Sequence, residues 1–193
     1  MGIFNHAGQV VKDLERSKRF YIEVLGFKFW YEFQPPQEAA AKLSLLKPPV
    51  GVTACYLTLD GFVLELIHYS VPGVLTAFRS RTMNEPGLTH LSVSVDDIHV
   101  TAKKAVEYGG QLLEESDIGF ALFLRDPDGQ LLELLPTSFR ANLPPKPLGP
   151  PHPGRSLAQL TIRIGSDIPG RGDFILGTRP ARGHPPNGGN RAS

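Results

Sequence analysis

Two histidines and two glutamates carry the chemistry that this sequence can offer. His6 stands seven residues before Asp13, and His90 stands seven before Asp97. Glu65 follows Asp60-Gly61 by four residues, and Glu133 follows Asp128-Gly129 by four. A chain that repeats its punctuation in this way is one supersecondary unit used twice. Two imidazoles and two carboxylates suit a divalent cation of borderline or harder character, such as Ni, Co, Mn, Zn or Fe. Four protein ligands on an octahedral ion leave two positions for water or a bidentate substrate. Taken singly, a histidine at a strand end is commonly just hydrogen-bonded, and a glutamate in a strand commonly lies at an edge. Recurrence of all four in register is what lifts the metal reading above that alternative.

The elements that must hold these residues follow from pattern. Residues 5–11 read as a strand, and Asp13 caps a helix whose stripe is Leu14, Phe20, Tyr21, Val24 and Leu25, ended by Gly26. Residues 27–33 are aromatic and β-prone, and residues 37–47 form a short helix between two Pro-Pro pairs. Residues 55–59 and 62–68 make a hairpin turning at Asp60-Gly61. A linker (71–87) is predicted to hold a helix over 74–82. The second unit repeats the order: strand 90–95, a helix from Asp97 to Tyr108, strands 111–113 and 121–125, a turn at Asp126-Pro127-Asp128-Gly129, and strand 131–135. Strand parity puts His90 on one face with Ser92 and Ser94, away from Leu91, Val93 and Val95. It puts Glu65 with Val63 and Ile67, and Glu133 with Leu131 and Leu135. The aromatics Trp30, Tyr31 and Phe33 are predicted to pack in the core rather than line a pocket.

Composition narrows the partners. A formal charge of +1 over 193 residues gives no reason to expect nucleic acid. No apolar run approaches the roughly 18 residues a membrane helix needs. The first residues lack a basic start and an apolar core, so no secretory signal is expected. The single cysteine, Cys55, fits a reducing, cytoplasmic setting and reads as a buried inert thiol. Residues 139–193 hold eight Lys/Arg against two Asp/Glu, and nineteen of these 55 residues are Pro or Gly. Such a tail is expected to be mostly disordered, leaving residues 1–138 as the folded domain, with modules at 3–70 and 88–136. His68 points to the strand face opposite Glu65, His99 is predicted to be exposed on the second helix, and His152 and His184 fall in the tail.

The run from His6 through Val10-Val11-Lys12-Asp13-Leu14 to Phe20-Tyr21 and Val24-Leu25-Gly26-Phe27, with His90…Val95-Asp96-Asp97-Ile98 and Asp126-Pro127-Asp128-Gly129…Leu132-Glu133, resembles the glyoxalase/bleomycin resistance/extradiol dioxygenase (vicinal oxygen chelate) superfamily. The resemblance covers about residues 3–136. It implies an α+β fold of two βαβββ modules forming a curved sheet around a metal cleft. It also implies that His6, Glu65, His90 and Glu133 are the metal ligands, within one chain or across a homodimer. The implied activity is that of a lyase or isomerase that chelates vicinal oxygens of a small molecule and moves a proton through an enediolate, with Glu133 or Glu65 as base. Glyoxalase I usually has Arg four residues after its first ligand and Asn four after its first glutamate, both for glutathione. Val10 and Tyr69 occupy those places here, which argues against a glutathione substrate.

Two other readings use the same residues differently. An extradiol dioxygenase would take Fe(II) on His6, His90 and Glu133 and leave Glu65 redundant. A metal-free binding or resistance protein would have no use for the quartet.

Overall fold

The computed structural model describes residues 3–75 and 82–141. Among the described residues, eight strands and four α-helices follow one another in two matching series. Module one runs β1 (Ala7–Val10), α1 (Leu14–Arg19), β2 (Lys28–Phe33), α2 (Gln37–Ser44), β3 (Gly51–Leu59) and β4 (Phe62–Val71). Module two runs β5 (His90–Val95), α3 (Ile98–Glu107), β6 (Gln111–Leu113), β7 (Leu122–Arg125) and β8 (Leu131–Pro136), and α4 (Thr137–Ala141) follows it. Each module makes a four-stranded sheet, ordered β1-β4-β3-β2 in one and β5-β8-β7-β6 in the other. In both, the first strand lies parallel to the last, and every other pair is antiparallel.

Local chemistry explains the starts and stops. Asp13 accepts from Arg16 N at 3.0 Å, and Asp97 accepts from His99 N and Val100 N at 2.9 Å each, so both helices begin on an aspartate cap. After α1 the chain widens into a π-helical turn over Phe20–Val24, then leaves it through Gly26 at φ +77°. Asp60 and Gly61 both have positive φ, the requirement of the tight hairpin turn that suits twisted strands. That turn places Leu59 opposite Phe62 and therefore Tyr56 opposite Glu65.

The two modules share one apolar core. Phe20, Tyr21, Leu57, Leu64 and Leu66 from module one join Ala105, Leu122, Leu124, Leu132 and Leu134 from module two in a single cluster. Gly110 has no room for a side chain: a Cβ there would lie 2.8 Å from Arg125 O and 3.0 Å from Phe20 of module one. Polar bonds seal the joint. Gln9 donates to Asp126 Oδ2 at 2.6 Å, beside the Tyr21 hydroxyl at 2.9 Å. Arg16 and Ser17 donate to Asp128 at 3.0 and 2.8 Å.

The structure departs from the sequence reading in places. β3 begins at Gly51 rather than 55, and β4 reaches Val71 rather than 68. Residues 139–141, assigned to the tail by composition, lie in α4. Trp30, Tyr31 and Phe33 are not core residues: they are 58, 39 and 44% exposed. β2 is the edge strand of its sheet and is exposed along its whole length, and it carries a bulge. Phe29 pairs with Leu57 but Tyr31 pairs with Tyr56, so an extra residue at Trp30 resets parity and turns Tyr31 and Phe33 to the face carrying Glu65. The helix expected over 74–82 falls largely on residues outside those described, as does the tail from 142. Among the described residues no helix is long and apolar enough to cross a membrane.

Candidate metal centre

Each sheet holds its histidine and glutamate by the same rule. Gly8, two residues after His6, pairs with Glu65, and Ser92, two residues after His90, pairs with Glu133. With side chains alternating, each histidine falls on the same face as its glutamate, one step along the parallel neighbour. His6 Nε2 lies 3.0 Å from Glu65 Oε2, and His90 Nε2 lies 3.6 Å from Glu133 Oε2. The opposite faces carry Leu64, Leu66, Leu132 and Leu134, all buried. The parity read from sequence holds on both strands. Gly8 leaves room for the carboxylate, since a Cβ there would sit 3.4 Å from Glu65 Oε2.

The outer nitrogen of each ring is also engaged. His6 Nδ1 lies 2.7 Å from Asn5 Oδ1. His90 Nδ1 lies 2.9 Å from Thr89 Oγ1. A hydrogen bond at one ring nitrogen that leaves the other facing the ligand position is how metal-binding imidazoles are oriented. The donor set therefore fits a divalent cation.

Within one chain these residues form two pairs. Among the described residues no group of three or more His, Cys, Asp or Glu gathers at metal-binding spacing. β1 and β5 are edge strands of separate sheets, with the His6–Glu65 pair in one sheet and the His90–Glu133 pair in the other.

The surroundings of the two halves differ. Tyr56 donates to Glu65 Oε1 at 2.7 Å, and its ring meets His6 edge-on at 5.4 Å. Burial, then the adjoining Glu65 carboxylate, pushes the Tyr56 hydroxyl well above the ordinary phenol pKa, so it stays a donor. Tyr31 stacks on Tyr56 at 4.5 Å, with Trp30 edge-on at 6.4 Å. In module two the residue opposite Glu133 is Phe123, which meets His90 edge-on at 5.3 Å. Sequence reasoning missed Asn5, Thr89 and Tyr56. The turn at Asp60-Gly61 could have found Tyr56, because a two-residue hairpin loop fixes which residue faces Glu65.

The other candidates stand apart. Cys55 is buried, its thiol pushed up to about 11 chiefly by burial, which makes it inert as expected. His99 is exposed, 3.5 Å from Asp117, and His68 Nδ1 lies 3.2 Å from Val11 O.

Comparison with known proteins adds the following. The family model of the Glyoxalase/Bleomycin resistance protein/Dioxygenase superfamily matches residues 3–134. The chain is 29% identical to a lactoylglutathione lyase of Pseudomonas putida, covering 69% of this chain and 84% of that protein. It is also 29% identical to a mitochondrial methylmalonyl-CoA epimerase of Bos taurus, over 69% of this chain and 74% of the other. Among solved structures, the trypanothione-dependent glyoxalase I of Leishmania major superposes with a TM-score of 0.52 at 25% identity, covering 70% of this chain and 87% of that one. A glyoxalase family protein from Bacillus cereus shares the fold with a TM-score of 0.59 at 19% identity, over 68% and 91% of the chains.

Proposed function

Because this chain belongs to the Glyoxalase/Bleomycin resistance protein/Dioxygenase superfamily, we propose that it is a divalent-metal-dependent lyase or isomerase acting on a small molecule with two neighbouring oxygens. His6, Glu65, His90 and Glu133 would hold the ion, with His6 and Glu65 of one copy facing His90 and Glu133 of a second. The observation that carries this reading is the in-register pairing of an imidazole Nε2 with a carboxylate in both modules, at 3.0 and 3.6 Å. A lyase and an epimerase among its relatives support proton transfer next to a carbonyl as the reaction type.

When bound, a divalent cation there supplies electrostatic stabilisation for the negative charge left on the substrate oxygens as a carbon-bound proton departs. The protein's own groups do the rest. The Asn5 and Thr89 side chains hold the two rings in orientation, so that Nε2 faces the ligand position. Glu133 accepts the proton from carbon and returns it to a neighbouring position. Exposed Trp30, Tyr31 and Phe33 flank the His6–Glu65 pair and form an apolar wall for the part of the substrate that does not react. Glutathione is not the expected carrier, since Val10 and Tyr69 offer neither guanidinium nor amide. A dioxygenase would leave Glu65 without a role, yet Glu65 is the more closely held of the two carboxylates.

The test is elemental analysis of the purified full chain together with its oligomeric state. One divalent ion per His–Glu/His–Glu set, lost in His6→Ala and in His90→Ala, is the expected result. Absence of stoichiometric metal, or retention in both variants, overturns the reading.

A further inference from the structure

The two halves of the centre are copies in backbone but not in chemistry. Tyr56 and Phe123 occupy the same place, directly across the antiparallel pair from Glu65 and Glu133. Both rings lie edge-on to the local histidine, at 5.4 and 5.3 Å and within 5° of perpendicular. The hydroxyl is the difference. On Tyr56 it donates to Glu65 Oε1 at 2.7 Å, while Oε2 is the oxygen turned to His6. The Tyr56 ring is itself fixed: 8% exposed, stacked on Tyr31 with 8° between planes, and met edge-on by Trp30. Glu65 is thus held at both oxygens with its rotamer chosen before any ligand arrives. Glu133 has Phe123 opposite, which carries no donor, and its nearest basic partner is His90 at the longer 3.6 Å.

We propose that Tyr56 is a positioning residue that makes the two carboxylates unequal, fixing Glu65 as the standing ligand and leaving Glu133 as the one free to move. This rests on the metal reading above. A carboxylate already locked by a phenol loses little conformational freedom on coordination, so it binds the ion more tightly. A carboxylate without that restraint would keep the freedom to turn towards a substrate. Proton transfer to carbon therefore falls to Glu133.

The experiment is titration of the apo full chain with Co(II), read by calorimetry and by the visible absorption of the bound ion. It compares wild type, Tyr56→Phe, Glu65→Gln, Glu133→Gln and the Tyr56→Phe/Glu65→Gln double variant. Tyr56→Phe is expected to weaken Co(II) by about tenfold to a hundredfold and to shift the absorption band. Glu65→Gln is expected to cost more affinity than Glu133→Gln, and adding Tyr56→Phe to Glu65→Gln should cost nothing further. A general structural role for Tyr56 would instead lower affinity by the same factor in both backgrounds. As a second probe, Phe123→Tyr should tighten Co(II) by giving Glu133 the missing donor. Unchanged Co(II) affinity in Tyr56→Phe, equal losses in Glu65→Gln and Glu133→Gln, or additive losses in the double variant overturns the proposal while leaving the metal reading intact. If wild type binds no Co(II) stoichiometrically, the metal reading falls, and this assignment with it.

Discussion

At the scale of single residues, like groups meet unlike neighbours: Glu65 faces a tyrosine and Glu133 a phenylalanine. Two histidines and two glutamates with matching spacing could be picked out of the sequence because parity along a strand is rigid, and the structure keeps both His–Glu pairs on one face. What parity cannot see is the partner on the next strand. Tyr56 becomes visible only when the register of the hairpin is worked out from its turn, and Asn5 and Thr89 only when the rings have been oriented. Glu133→Gln is expected to lower turnover roughly a hundredfold or more, the usual contribution of a general base, with the bound metal largely retained. Solvent deuterium uptake at the substrate carbon measures it. Full exchange in that variant would pass the role to Glu65.

At the scale of elements, the joint between the modules is built from the turn that follows β7. Asp126 is 3% exposed, and its Oδ1 accepts from Asp128 N and Gln130 N while Oδ2 meets Gln9 and Tyr21. Burial, the largest influence, raises its carboxyl above 3.8 despite those hydrogen bonds. The sign follows directly. An acid whose folded pKa exceeds its unfolded one favours the fold when protonated, so its contribution is complete below about 3.8 and declines as pH rises through the folded value. Asp126→Asn should therefore flatten the pH dependence of urea unfolding in that window, with the wild type relatively best at the acid end. A wild-type curve that instead steepens upward relative to Asp126→Asn would remove burial as the dominant influence. The sequence showed this turn through its Pro and Gly, but not that its aspartates bind the other module. Contacts between residues more than a hundred positions apart leave no local pattern. The β2 bulge was hidden for a related reason, because an extra residue in one strand shows only against its partner.

At the scale of the whole molecule, duplication was legible and assembly was not. Repeated caps, turns and glycines foretold two sheets of the same order, since each signal is local. Whether the halves of the centre meet within one chain depends on how two sheets face each other, and no spacing encodes that. Since no group of three or more such residues gathers among the described residues of one chain, the proposed function draws its four ligands from two copies. Mixing Glu65→Gln with Glu133→Gln chains makes this measurable. In a mixed dimer one centre collects both substitutions and the other none, so turnover should recover to about half of wild type per mixed dimer. If each chain builds its own centre, mixing restores nothing. One further consequence comes from the bulge at Trp30. It is the sole tryptophan of the chain, and its ring lies 6.4 Å from Tyr56, the ring that touches both His6 and Glu65. The molecule thus carries its own optical reporter beside the half-site: ultraviolet emission should be quenched by a paramagnetic cation or dimmed by a stacking substrate, following occupancy without any label.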